Sequence, residues 1–230
     1  DPKRRGRVPD TEARPWSEDA VREFLETRCA LSTTCRTSGS FFELHCAALD
    51  RIRERIGAGL LQAPIRLIHV DAHSDLGLLS SSRAAPLDYI RNELLPLPAE
   101  ERVSPKRGRD GLSEGSWLAF AIAARWIGQV DFVLHPDWTN DLPITATAGW
   151  DGTRGPKEIT DCRFDLCAGG SMGTDNPRDV GREPEVPMRL IPLEQFLCND
   201  PIDAVLLSRS PLYTPAASDT LINVILSYLD

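Results

Sequence analysis

The sequence predicts a single α/β domain with a mostly parallel sheet, and three observations carry that expectation. Short β-branched runs alternate with segments of helical periodicity. At 230 residues, with 41% hydrophobic and 26% charged side chains, the chain is ordinary for a globular protein and can bury a core without staples. Chemistry-bearing residues end or directly follow three of the strand-like runs, where ligands sit in open parallel sheets. They are Asp71-Ala72-His73-Ser74-Asp75, His135, and Ser208-Arg209-Ser210.

The elements follow in chain order. Residues 1–16 are charged, hold three prolines and lack periodicity, so they read as an arm, and residues 17–230 as the domain. Ser17 is placed to cap a helix, with Glu18 and Asp19 in its first turn and Val21, Phe24 and Leu25 on one face. Small polar residues from Ser32 to Ser40 make a break. Phe42 to Ile56 then reads as a helix with His45, Leu49, Ile52 and Ile56 on its apolar stripe, stopped by Gly57 and Gly59. Ile65 to Val70 has the look of a buried parallel strand. Asp88 to Leu95 predicts a helix, and 96–111 a polar loop.

A further helix, capped by Ser113, is expected to run through Trp117, Phe120, Ala121, Ala124 and Ile127 to a stop at Gly128. Val130 to His135 predicts the second strand. Residues 139–187, rich in Gly, Asp, Thr and Pro, give only loops and weak strands. Met188 to Ile191 and Ile202 to Ser208 complete the strands, with a short helix near Leu193 to Leu197 between them. Ser218 opens a last helix through Leu221, Ile222, Ile225 and Leu229.

Charge narrows the function classes. The 26 Lys and Arg against 34 Asp and Glu leave a net charge of −8, the opposite of a nucleic-acid footprint. The most apolar long stretch, Trp117 to Val130, is too short to span a bilayer and carries Arg125, so no membrane partner is expected. Six cysteines without a Cys-x-x-Cys suggest free, buried thiols rather than a zinc site, and with them a reducing, cytoplasmic setting.

The sharpest motif is His69-Val70-Asp71-Ala72-His73-Ser74-Asp75-Leu76. Two carboxylates and an imidazole on one turn after a hydrophobic strand offer oxygen and nitrogen donors without thiolate. That set suits Mn²⁺ or another fairly hard divalent ion better than structural zinc. A shared carboxylate can bridge two ions ~3.5–4 Å apart and so make water nucleophilic near neutral pH. The bland alternative is a helix-capping Asp beside a core histidine. The chain has only four histidines, His45, His69, His73 and His135. His45 reads equally as a ligand or as a core residue, and Ser208-Arg209-Ser210 equally as a surface loop or as a guanidinium offered to a peptide carbonyl or carboxylate.

Asp71-Ala72-His73-Ser74-Asp75 resembles the Asp-Ala-His-x-Asp signature of the ureohydrolase (arginase and agmatinase) superfamily. The wider pattern resembles its peptide arginase branch. Four blocks carry the likeness, spread over residues 43–215: Glu43 to Leu49, Leu67 to Leu76, Leu112 to Trp117 running on to Leu134-His135-Pro136-Asp137-Trp138, and Leu207 to Pro215.

The resemblance implies a three-layer α/β/α fold and a manganese site, two ions expected or one, in an enzyme that converts arginine residues of a ribosomally synthesised precursor peptide into ornithine, with urea as the other product. It implies metal ligation by His45, Asp71, His73 and Asp75, with Asp71 bridging. It suggests guanidinium binding by Glu114 and proton transfer by His135; Arg209 and Ser210 are the candidates the residues themselves offer for contact with the peptide. The superfamily's later Asp-x-Asp is absent from this sequence. Asp137, Asp161, Asp165 and Asp200 are the candidates to replace it, and spacing does not choose among them. Two other readings stay open: a metal-dependent amidase or deacetylase, and a peptide-binding pseudoenzyme.

Overall fold

The computed structural model describes residues 7, 15–77, 85–108, 110–150, 155–168 and 183–230. All but Arg7 and the last two residues of the 1–16 arm lie outside the described residues. The chain divides into two compact units, one of Asp1–Arg51 with Leu197–Asp230 and one of Ile52–Phe196.

In the first unit, Ser17 caps α1 (Glu18–Glu23) as its sequence suggests, its Oγ accepting the Ala20 N–H at 3.2 Å. A wider π-type turn, Phe24–Arg28, extends the helix and buries Leu25. Strand β1 (Gly39–Phe42) pairs in parallel with a strand near the C-terminus, Val205–Ser208, from Gly39↔Val205 to Phe42↔Ser208. Helix α2 (Ala47–Gly57) then carries the chain from the first unit into the second.

The helix expected from Phe42 therefore starts five residues late. Phe41 and Phe42 suit a pleated strand, and the ladder satisfies their backbone, so tertiary pairing overrides the helical period. His45 falls in the turn before α2 rather than on its stripe, while Leu49 and Ile52 remain buried as the period requires.

The second unit holds the remaining sheet. Strands β2 (Ile65–Asp71), β3 (Ile127–Leu134), β4 (Thr147–Ala148), β5 (Thr160–Phe164) and β6 (Val186–Pro192) line up in the order β2-β3-β6-β5-β4. The first three are mutually parallel, whereas β5 and β4 run antiparallel to their neighbours. The strand Val205–Ser208 is β7. The outcome is an α/β protein with mostly parallel strand pairing.

Register places Asp71 opposite Leu134, and Leu134 opposite Pro192, so the carboxyl ends of β2, β3 and β6 share one edge. Strand β2 is not fully buried as its composition suggested. It forms the edge of this sheet, and Val70 is 51% exposed.

Helix α3 (Ala85–Tyr89) continues into a π-type segment, Ile90–Leu94. Helix α4 (Trp117–Ala123) is buried along its whole length. It stops well before Gly128, because Arg125 turns into a left-handed conformation (φ +58°) and Ile127 is already the first residue of β3. Gly128 serves the strand instead: a Cβ there would lie 2.8 Å from Pro64 Cβ.

Phe132, Leu190, Met188 and Phe164 are buried on one side of the sheet. On the other side Asp131 is buried, and it accepts bonds from Arg66 (2.9 and 2.7 Å) on β2 and Arg189 (2.7 and 2.8 Å) on β6. Burial alone would raise the Asp131 pKa, but the two guanidinium groups hold it below the ordinary carboxylate value. Helix α5 (Asp219–Leu226) closes the first unit beside α1. Among the described residues, no helix is long and apolar enough to cross a membrane.

Candidate functional site

The residues that follow β2 and β3 meet within the second unit. Asp71 ends β2, and its Oδ1 accepts the His73 N–H at 2.9 Å, which folds the chain back in a tight turn. His73 is left half-exposed, its Nδ1 3.8 Å from Asp71 Oδ1. His69 lies beneath the turn, stacked on Phe132 and edge-on to Trp117. Its Nε2 is 3.0 Å from the His73 carbonyl, which fixes the proton on Nε2 in the neutral ring. His69 thus holds the loop in shape from inside the core.

Asp75 is the most constrained member. Its backbone is left-handed (φ +54°), its carbonyl accepts the Leu118 N–H of α4 (3.1 Å), and its Oδ2 accepts the indole N–H of Trp117 at 2.7 Å. Only 3% of the residue is exposed. Its pKa is pushed up to about 9, first by burial and then by the charge of Asp71. The Trp117 bond opposes the rise, while Asp141 and Glu114 add to it. Four carboxyl groups therefore act on one small region, and an ionised Asp75 there calls for either a proton or a cation.

Asp141 is the residue that sequence reasoning missed. It lies on the loop after β3, and its Oδ2 accepts the Ser74 N–H (2.7 Å) while Oδ1 accepts the Trp138 indole N–H (2.9 Å). That clamp joins the loops following β2 and β3. Asp141 was not among the four carboxylates weighed as replacements for the Asp-x-Asp. The available signal was its place six residues beyond His135, on a loop leaving the same sheet edge as Asp71. Asp165, one of those four, accepts the Cys167 N–H (2.8 Å) in a local turn.

The other expected residues take varied positions. Glu114 is half-buried in the turn before α4, near enough to act on Asp75. His135 is exposed, and its Nδ1 accepts the Asp137 N–H (3.1 Å), leaving Nε2 to carry the ring proton. Trp117 is core, as its stripe suggested, and also holds Asp75. His45, half-buried, belongs to the first unit, and its carbonyl accepts the Ala48 N–H at 3.0 Å in the opening turn of α2.

Arg209 and Ser210 also belong to the first unit. Arg209 is held by Asp219 (2.5 and 3.3 Å) and by Glu43 (3.4 Å). Ser210 is buried in a left-handed conformation (φ +45°), its Oγ 2.8 Å from Ser208 Oγ.

Compared with known proteins, the chain matches no protein-family model, and no curated protein matches it.

Proposed function

We propose that this protein is a metal-dependent hydrolase of C–N bonds that acts on the guanidinium group of an arginine residue in a peptide, giving ornithine and urea. The observation that carries the reading is Asp75, a carboxyl group sealed from water beside Asp71, Asp141 and Glu114. Such a group costs stability as an anion unless a cation neutralises it.

The donor chemistry fits a divalent ion. Asp71 and Asp75 supply carboxylate oxygens on the turn after β2, with the His73 imidazole on the same turn, and oxygen and nitrogen donors without thiolate suit manganese. When bound, such an ion supplies Lewis acidity that makes water nucleophilic near neutral pH. The guanidinium substrate rests on the resemblance of the four sequence blocks to peptide arginases.

The chain's own residues take the remaining roles. Glu114 accepts the guanidinium N–H groups and orients the planar cation by its charge. Water adds to the guanidinium carbon, and the bond to the ornithine nitrogen breaks. That nitrogen leaves as an amine after taking up the proton that the attacking water gives up, a transfer assigned to His135, so that urea and the ornithine ammonium account for the water consumed. Trp117 and Asp141 position: the first holds Asp75 and the second holds the turn at Ser74.

A one-ion amidase is the second reading, because both Asp141 oxygens are engaged and the few donors on one short turn hold one ion more readily than two. Incubation of the manganese-loaded protein with an arginine-containing peptide and with its N-acetyl-lysine analogue separates the two. Urea release with conversion of arginine to ornithine supports the first reading. Acetate release without urea would replace it by the second.

A further inference from the structure

Away from those carboxylates, the first unit contains a second place built for a guanidinium group, and Arg7 occupies it. The Arg7 fork meets Asp219 end-on, with Nη1 to Oδ2 at 2.6 Å and Nη2 to Oδ1 at 2.7 Å. Nη2 also donates to the Pro215 carbonyl (3.0 Å) and to Thr214 Oγ1 (3.4 Å), and Nε to the Thr214 carbonyl (3.4 Å). A planar cation thus finds a bidentate carboxylate and three further acceptors, the geometry that separates arginine from lysine.

The cradle is assembled by partners other than Arg7. Arg209 fixes Asp219, while Thr214 Oγ1 donates to the Arg209 carbonyl at 2.8 Å and the Thr214 N–H to the Ser210 carbonyl at 3.1 Å. Among the described residues, the cluster without Arg7 sets one guanidinium, Arg209, against two carboxylates, Asp219 and Glu43, an excess of one negative charge. Asp219 remains 28% exposed at its side chain even with Arg7 seated, so the cradle is reachable from solvent. Apolar side chains flank it in sequence: Tyr213 and Leu212 are 54% and 50% exposed, and Leu44 beside Glu43 is 48% exposed.

We propose that the Asp219–Thr214–Pro215 cradle is a binding site for the arginine side chain of a peptide, filled in cis by Arg7, which competes with that ligand. The flanking apolar residues cover the neighbours of the bound arginine, and Arg7 sets the threshold for binding by acting as a tethered competitor. The site is independent of the proposed metal centre, and its failure would leave that proposal untouched.

The test is an NMR titration of the full chain with N-acetyl-arginine amide, and N-acetyl-lysine amide as the control. A tethered side chain acts at an effective concentration in the millimolar range, so Arg7→Ala is expected to tighten acetyl-arginine amide binding by about tenfold or more over the natural sequence. Arg7→Lys keeps the charge but loses the fork, and falls between them. Adding Asp219→Asn to Arg7→Ala is expected to abolish the gain, which assigns it to the cradle rather than to the Asp71–Asp75 loop. Far-UV circular dichroism verifies folding, and Asp219→Ser, which also removes the carboxylate, replaces Asp219→Asn should the latter unfold. Equal binding by the natural sequence and Arg7→Ala overturns the proposal, as does binding that survives the loss of the Asp219 carboxylate or an equal affinity for the lysine probe.

Discussion

Asp75 concentrates the electrostatic cost of the site on one side chain. Its folded pKa of about 9 lies above the ordinary 3.8, so between those values the folded state holds a proton that the unfolded state has released. Stability from this group is then fully present below about pH 4 and declines as pH rises toward 9. Metal-free protein is expected to lose thermal stability across that window, and Asp75→Asn, which keeps an acceptor for Trp117, is expected to flatten the decline. Thermal melts at a series of pH values in chelator check this, and a flat natural-sequence profile contradicts it.

The cysteines give a second check at this scale. Burial pushes the Cys29 thiol up to about 12 and Cys162 up to about 11, whereas Cys35 and Cys167 are exposed. Iodoacetamide at pH 8 should label Cys35 and Cys167 first and leave Cys29 and Cys162 unmodified in the folded protein, as read by peptide mass spectrometry. The composition suggested six buried thiols. Only three are buried: Cys46 is half-buried, and Cys35 and Cys167 lie in a bend and a turn that no hydrophobic pattern marks.

At the scale of elements, the parallel pairing of β1 with β7 depends on Gly39. A Cβ at that position would stand 2.7 Å from Leu229 Cβ and 2.8 Å from its Cδ1. Gly39→Ala should therefore destabilise the protein by about 1–3 kcal/mol through overpacking, seen as a lower denaturation midpoint with an unchanged slope. Strands β2, β3, β6 and β7 were legible because β-branched runs ended by Pro, Gly or Asp have few other uses. The start of α2 was not, since Phe41 and Phe42 fit a helix period as well as a strand and only pairing with Val205–Ser208 decides between them. The end of α4 was hidden for a related reason. Ile127 continues the helical stripe in sequence, but in space it is the first residue of β3, opposite Ile65.

Over the whole molecule, the sequence places its candidate metal-binding motif at a strand end, and the structure puts Asp71, His73 and Asp75 on the turn leaving β2. What local spacing could not reveal is the response of that turn to its surroundings. Trp117, 42 residues further on, supplies the indole bond to Asp75, and Asp141, 67 residues beyond Ser74, supplies the clamp. The Asp141 clamp follows from β2 and β3 being neighbours in register, and the Trp117 bond from α4 packing against the turn after β2. An excess of acid, net −8 over the chain, adds a general attraction for cationic substrates and metal ions.

The most direct test of the metal-dependent reading is the manganese content of protein purified with that metal, measured by elemental analysis beside Asp71→Ala. About one or two ions per natural chain, absent from a folded Asp71→Ala chain, is the expected result. No bound manganese in the natural sequence, or an equal content in the variant, would contradict it.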